Sequence, residues 1–372
     1  MGFSDFLGNP RVVTALRGML ATERVPHAML FSGPQGVGKF TLARMFAQAS
    51  NCERLRDDFC EECDTCRRIG LLSDLNPLIE QGLAQRGERP DAGTVERIPL
   101  LIETHPDVWA IVPDPVRAKD PVARPVLRVG QLRAVQRAAY FKPKGRRRVF
   151  ILDGAETMPW HIASIFLKIL EEPPESATLI LLASNPYLLL PTIRSRCLQF
   201  SFAPLAAGEV EKILVAHTEM KAEERKLAAQ YSEGCPGRAM GMDVAATAKL
   251  HRDALTVLER AVELRGVSSL FASTSALAKS QEIGFENVIQ VFYSLLTDLL
   301  DLSCSSSMKA LRNPALRREL ETLSKQVDVS WVSKAVDGFD ALHARMRRNI
   351  NRSLGLDAVA ISLARPAPGP RN

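Results

Sequence analysis

The sequence predicts an α/β fold built on a parallel sheet, followed by an all-helical remainder. Three observations predict it. First, the apolar run Ala28-Met29-Leu30-Phe31 is followed by Gly33-Pro34-Gln35-Gly36-Val37-Gly38-Lys39, then by apolar residues at helical spacing from Thr41 to Ala47. Strand, glycine-rich turn and helix in that order form a phosphate-cradling loop. Second, the apolar runs Val108–Val112, Val149–Leu152 and Leu179–Ala183 alternate with helical patterns up to Phe200, as in a sheet covered on both faces. Third, every readable segment from Gly208 onward carries helical periodicity.

Gly33, Gly36 and Gly38 let the backbone curl so that successive N–H groups point at phosphate oxygens. The helix that follows adds the partial positive charge of its N-terminus, and Lys39 would reach the outer phosphates. The pattern asks for Ser or Thr directly after the lysine, because that hydroxyl holds Mg²⁺. Phe40 stands there instead, and Thr41, the next residue, is turned by about 100° along the helix. The strand Val149–Leu152 ends at Asp153, the carboxylate that assists Mg²⁺ in such sites. ATPases of this type place a glutamate next to it to activate water; here the position is Gly154, and Glu156 lies two residues on. The architecture is therefore intact while two chemical positions are lost independently. The plain alternative is a glycine-rich turn that holds no ligand.

A chain of 372 residues has room for two or three domains, and its 46% apolar and 24% charged residues are those of an ordinary globular protein. No apolar run reaches the length of a membrane span, and Met1-Gly2-Phe3-Ser4-Asp5 opens no secretory signal, so a cytoplasmic location is expected. The net charge of +6 permits nucleic-acid contact without requiring it; an ordinary soluble surface carries as much. Cys52, Cys60, Cys63 and Cys66 follow the pattern Cys-x7-Cys-x2-Cys-x2-Cys, which suits a closed, tetrahedral structural zinc site. Redox chemistry or plain buried thiols are the alternatives, and a cytoplasmic chain disfavours disulfides.

In chain order, Val12, Val13, Leu16, Met19 and Leu20 mark an amphipathic helix before the first strand. Residues 71–104 show no clear period and contain the polar loop Gln85–Gly93. His105-Pro106-Asp107 precedes the strand at Val108, and a proline-rich loop from Pro113 to Pro125 precedes a helix marked by Leu132, Val135, Ala138 and Ala139. Lys142, Lys144, Arg146, Arg147 and Arg148 form a basic cluster. The helix Ala163–Leu170 is stopped by Pro173-Pro174, and Ser195-Arg196-Cys197 leads into a strand at Leu198.

These motifs, in this order, resemble the bacterial clamp-loader branch of the AAA+ ATPases. The pieces that carry the resemblance are His27-Ala28, the GPQGVGK loop, the four-cysteine insertion, His105-Pro106-Asp107, Leu167-Lys168-Ile169-Leu170-Glu171-Glu172-Pro173-Pro174, Pro191-Thr192-Ile193 with Ser195-Arg196-Cys197, Cys235-Pro236-Gly237-Arg238 and Asn349-Ile350-Asn351-Arg352-Ser353-Leu354-Gly355-Leu356-Asp357. The resemblance covers nearly the whole chain. It implies a nucleotide-binding-like AAA+ domain over 1–202 with a zinc module at about 50–70. A small helical lid over 203–247, a helical collar over 248–365 and a disordered tail over 366–372 would follow.

Phe40 and Gly154 resemble the degenerate, stator-type (delta-prime) members more than the ATP-hydrolysing gamma and tau motors. A motor-type subunit and an unrelated regulatory or repair ATPase are the rival readings. As the resemblance has it, Arg196 is an arginine finger working in trans on ATP in a neighbouring subunit, with a surface ion pair as its bland alternative. Gly33, Gly36, Gly38, Lys39, Thr41, Asp153 and Arg238 would line a degenerate nucleotide site of its own. Partners would be gamma/tau and delta subunits, the sliding clamp and primed DNA, within a DNA polymerase holoenzyme in which this chain has no catalysis of its own.

Overall fold

Six strands form one sheet: β1 (Ala28–Ser32), β2 (Ile102–His105), β3 (Val108–Ile111), β4 (Arg148–Leu152), β5 (Ala177–Ala183) and β6 (Leu198–Ser201). Their order is β2-β3-β4-β5-β1-β6, and every pairing is parallel except β2 with β3. This computed structural model describes residues 2–87, 90–115, 125–263, 267–279, 284–304, 311–346 and 351–364. Every residue of β1, β4 and β5 is buried, as expected of strands covered on both faces. Aromatic pairs lock neighbouring strands: Phe31 of β1 meets Phe200 of β6 edge-on at 5.5 Å, and Trp109 of β3 meets Phe150 of β4 in the same way at 5.5 Å.

The chain divides into two units. The first comprises Met1–Thr218 with Gly234–Arg238; the second comprises Glu219–Glu233 and Ala239 onward. The first holds the sheet and helices α1 (Pro10–Ala21), α2 (Lys39–Asn51), α3 (Asp64–Gly70), α4 (Asn76–Ala84), α5 (Ala92–Arg97), α6 (Val129–Ala139), α7 (Trp160–Glu171), α8 (Pro191–Arg194) and α9 (Ala207–His217). Residues 71–104, unreadable as sequence, supply α4, α5 and the antiparallel strand β2. This excursion is tied down by an ion pair between Arg86 and Asp114, 2.9 Å apart with both side chains wholly buried, and by Arg86 Nε donating to the Ile98 carbonyl.

Among its described residues the second unit is entirely helical: α10 (Ala222–Tyr231), the end of α11 (Pro236–Met240), α12 (Val244–Glu263), α13 (Val267–Lys279), α14 (Phe285–Cys304), α15 (Arg317–Ser324), α16 (Val329–Met346) and α17 (Arg352–Ser362). Its core centres on Phe292 stacked on Phe339 at 4.4 Å. A buried polar chain crosses it. His251 Nδ1 lies 2.6 Å from Asn313 Oδ1, while Asn313 Nδ2 donates to Ser294 Oγ and to Asp298 Oδ2. Since Asn313 uses its amide hydrogens there, its oxygen accepts and His251 carries its proton on Nδ1. The expected disordered tail at 366–372 lies outside the described residues.

Candidate functional site

The glycine-rich turn sits at the carboxyl end of β1, and α2 begins at its lysine. Gly33, Gly36 and Gly38 have φ of 151°, 82° and 103°, values that L side chains rarely adopt. Lys39 is buried and donates from Nζ to the carbonyls of Gly33 and Pro34, the latter at 2.8 Å. Burial holds its ammonium below the ordinary lysine range, with Asp153 and Glu156 pulling the other way. Two of the three lysine hydrogens thus serve the loop itself. Phe40 is half-buried and Thr41 exposed on the first turn of α2.

Asp153 follows β4, next to the loop lysine. Its carboxylate accepts from the Gly154 amide at 2.9 Å, and burial raises its pKa. Gly154 has φ 58° and a Cβ there would lie 2.8 Å from Pro113, so the backbone at this position favours glycine. Glu156 accepts from the Ser184 amide at 2.8 Å and so bridges the ends of β4 and β5. Arg238 lies at the start of α11 beside the glycine-rich turn: a Cβ on Gly36 would lie 2.8 Å from the Arg238 amide nitrogen. The Gly237 amide donates to the Gly36 carbonyl at 2.8 Å. The structure thus gathers Gly33, Gly36, Gly38, Lys39, Asp153 and Arg238 at one end of the sheet. Phe6, unremarked in the sequence, joins them, its ring 3.1 Å from where a Gly38 Cβ would be.

Arg196 follows α8 and is about one-third exposed. Its guanidinium pairs with Glu171 at the end of α7 (Nη2 to Oε1, 2.8 Å) and donates from Nη1 to the Thr192 carbonyl at 2.9 Å. Two contacts fix its direction while leaving other N–H donors free.

The four sulfur atoms of Cys52, Cys60, Cys63 and Cys66 lie within 4.8 Å of one another. A tetrahedral Zn–S site puts its sulfurs about 3.8 Å apart, given bonds of about 2.3 Å, so the four thiols need only a small contraction to hold such a metal. Amides already face three of the sulfurs: Leu55 N to Cys52, Cys63 N to Cys60 and Cys66 N to Cys63, each at 3.4 Å. Burial opposes ionisation of Cys60, yet the N–H groups of Cys63 and Glu62 hold its thiol down to about 7, while burial pushes Cys66 upward. Cys63 also caps α3, where the helix N-terminus favours a thiolate.

The cluster is anchored from two sides. Phe3, 1% exposed, packs edge-on against Phe59 and donates its amide to Asp58. Arg146 donates to the carbonyls of Ala49, Cys52 and Leu55. Asp107, fully buried, accepts from the amides of Lys144 and Gly145 and pairs with Arg148 at 3.1 Å; Asn51 accepts from the amides of Arg146 and Arg147. The Asp of His105-Pro106-Asp107 is therefore a structural hub for the basic segment.

The tau subunit of DNA polymerase III from Escherichia coli K12 is 29% identical over 365 residues, 97% of this chain and 46% of that protein. The tau/gamma subunit from Haemophilus influenzae is 32% identical over 213 residues, 57% of this chain and 25% of that protein. The delta' subunit from Bacillus subtilis is 28% identical over 209 residues, 55% of this chain and 51% of that protein. The chain thus spans a quarter to a half of the length of these relatives. The family model described as "DNA polymerase III, delta subunit" matches residues 8–206, more than half of the chain. With this phosphate loop and cysteine cluster, the chain belongs to the DNA polymerase III delta subunit family.

Proposed function

We propose that this chain is a delta-prime, stator-type subunit of a DNA polymerase III clamp loader. It would help ATP-bound motor subunits open a sliding clamp and place it on primed DNA, in the cytoplasm. The observation that carries this reading is a phosphate loop built to shape but stripped of its chemistry. Phe40 offers no hydroxyl for Mg²⁺, Gly154 no carboxylate for water, and two of the three Lys39 hydrogens are engaged by its own loop. Chemistry in such an assembly would then lie in another subunit's site, to which the directed guanidinium of Arg196 adds an arginine finger. In this reading the regions 203–247 and 248–365 serve as lid and collar, and Cys52, Cys60, Cys63 and Cys66 hold a structural zinc that brings no reactive position. Arg238 and Thr41 are relics of a nucleotide site.

The similarity to tau and gamma subunits favours a second reading, an ATP-hydrolysing motor. One experiment separates them: the purified chain is assayed for ATP turnover alone, then mixed with candidate motor, delta and clamp subunits. The stator reading expects no turnover alone and a stable complex. Turnover abolished by Lys39→Ala supports the motor, and absence of any complex removes both.

A further inference from the structure

Residues 2–9 cross three parts of the first unit, and each part holds them. On the cysteine module, buried Phe3 meets Phe59 edge-on at 5.7 Å and donates its amide to Asp58 Oδ1 at 3.0 Å. The same oxygen accepts the Phe59 amide at 2.9 Å, and Asp57 beside it pairs with Arg17 of α1 at 3.1 Å. In the middle, the Phe6 ring lies 3.1 Å from the Cβ position of Gly38, the residue that caps α2. At the far end Asn9 grips Ala203 both ways: Nδ2 donates to its carbonyl at 3.1 Å and Oδ1 accepts its amide at 2.8 Å.

The first two grips are joined with little slack. Phe3–Asp5 form a 3₁₀ turn in which the Gly2 carbonyl accepts the Asp5 amide at 3.0 Å and the Phe3 carbonyl accepts the Phe6 amide at 3.2 Å. A shift of Phe3 therefore carries Phe6 with it. Gly38 has no side chain to cap the helix. Chain neighbours apart, Phe6 alone among the described residues lies within 4 Å of its Cβ position. A second route joins the same two places, because α2 ends at Asn51 and Cys52 follows directly. That helix is moored elsewhere, however. Ten of its thirteen residues are buried, and Asn51 accepts the amides of Arg146 and Arg147 ahead of β4, so α2 is held when the module moves.

We infer that Gly2–Asn9 is a strap through which the cysteine module, when metal fills it, holds the glycine-rich turn in shape. The inference rests on the proposed zinc site only for the metal, and not on which subunit type the chain is. An emptied module loosens Phe59 and Asp58 and frees Phe3; the 3₁₀ turn passes the change to Phe6, and Gly38 loses its cover. The shape of the phosphate loop is thereby conditional on a site at the other end of the strap.

The test is amide hydrogen exchange of the full chain, with zinc bound and after chelation. It is read at Val37 and Leu42, whose amides donate to the carbonyls of Pro34 and Gly38. In the wild type, chelation should quicken exchange at both by about tenfold, and returned zinc should reverse it. Phe6→Ala should quicken exchange with zinc still bound, and chelation should then add little, since two cuts in one strap do not sum. Phe59→Ala, which spares all four cysteines, should reproduce the effect of chelation in zinc-loaded protein. The milder Phe59→Leu should do so by a smaller factor, which keeps this arm informative if Phe59→Ala does not fold. Three outcomes overturn the inference: Val37 and Leu42 unmoved once zinc is shown to be lost, an equal chelation effect in Phe6→Ala, which would assign the coupling to α2, or Phe59 variants with wild-type exchange at the turn. A chain that binds no zinc removes the metal reading, and the Phe59 variants alone then decide the strap.

Discussion

Gly237 donates its amide to the carbonyl of Gly36 at 2.8 Å, and the two backbones touch so closely that neither has room for a side chain. The Gly234–Arg238 segment is thereby fastened onto the glycine-rich turn. Gly36→Ala must place a Cβ 2.8 Å from the Arg238 amide nitrogen at φ 82°. It is expected to cost about 2 kcal/mol or more, from left-handed backbone and displaced segment together. Gly18→Ala, in α1 with nothing near its Cβ, should instead stabilise by about 0.5–1 kcal/mol. Urea unfolding of both variants checks the contrast; equal effects would mean the turn is free to move.

The cysteine module predicts about one zinc per chain on metal analysis of protein purified without chelator. Cys63→Ser should lose the metal and loosen residues 52–66. Because Phe3 rests on Phe59 and Asp58, amide exchange should also quicken at 3–5, while β4 and β5 stay protected. Exchange that rises throughout the sheet would show that the metal holds the whole domain.

Arg196→Ala should leave the isolated chain folded, since its pair with Glu171 is half-exposed and such pairs contribute at most about 1 kcal/mol. In a reconstituted complex, hydrolysis stimulated by DNA and clamp should fall. The loss at one site is on the order of 10³, diluted by the sites that remain. Arg196→Lys should not rescue, because an ammonium lacks the planar fork. Unchanged rates in a correctly assembled complex would remove Arg196 from the mechanism.

His251 is buried against Tyr231 and Asn313, and burial pulls its pKa down to about 4. The native state therefore favours neutral imidazole, while the unfolded chain takes a proton near pH 6.5. Stability from this group is full above pH 6.5 and declines as pH falls toward 4. The loss between pH 8 and pH 5 should be about 2 kcal/mol. His251→Gln should lower stability at pH 8 but flatten the decline; a variant that retains the wild-type pH dependence would assign it to other groups.

β1, β3, β4 and β5 were legible because each centres on an apolar run, wholly buried in β1, β4 and β5 and broken only by half-buried Trp109 in β3. β2 was not: Glu103 and Thr104 interrupt it, and only Ile102 and His105 are buried. α4 was hidden for a similar reason, having no buried residue to set a period. The phosphate loop and cysteine cluster were visible because their ligands are close in sequence. The grip of Asp107 on Gly145, 38 residues away, and of Gly237 on Gly36 has no local pattern to announce it. The lost chemistry at Phe40 and Gly154 shows in the motif itself, whereas the engagement of Lys39 by the Gly33 and Pro34 carbonyls depends on how the turn folds back.

The antiparallel strand β2 has a consequence for how this molecule behaves in solution. Strand β3 would otherwise present a bare row of amides and carbonyls at the margin of an otherwise parallel sheet, a template for another chain. Four residues cover it, and Glu103, a carboxylate at the rim, discourages the next strand from adding. The excursion over 71–104 thus acts as a guard against self-association, and a chain trimmed of it would trade a tidy margin for a sticky one.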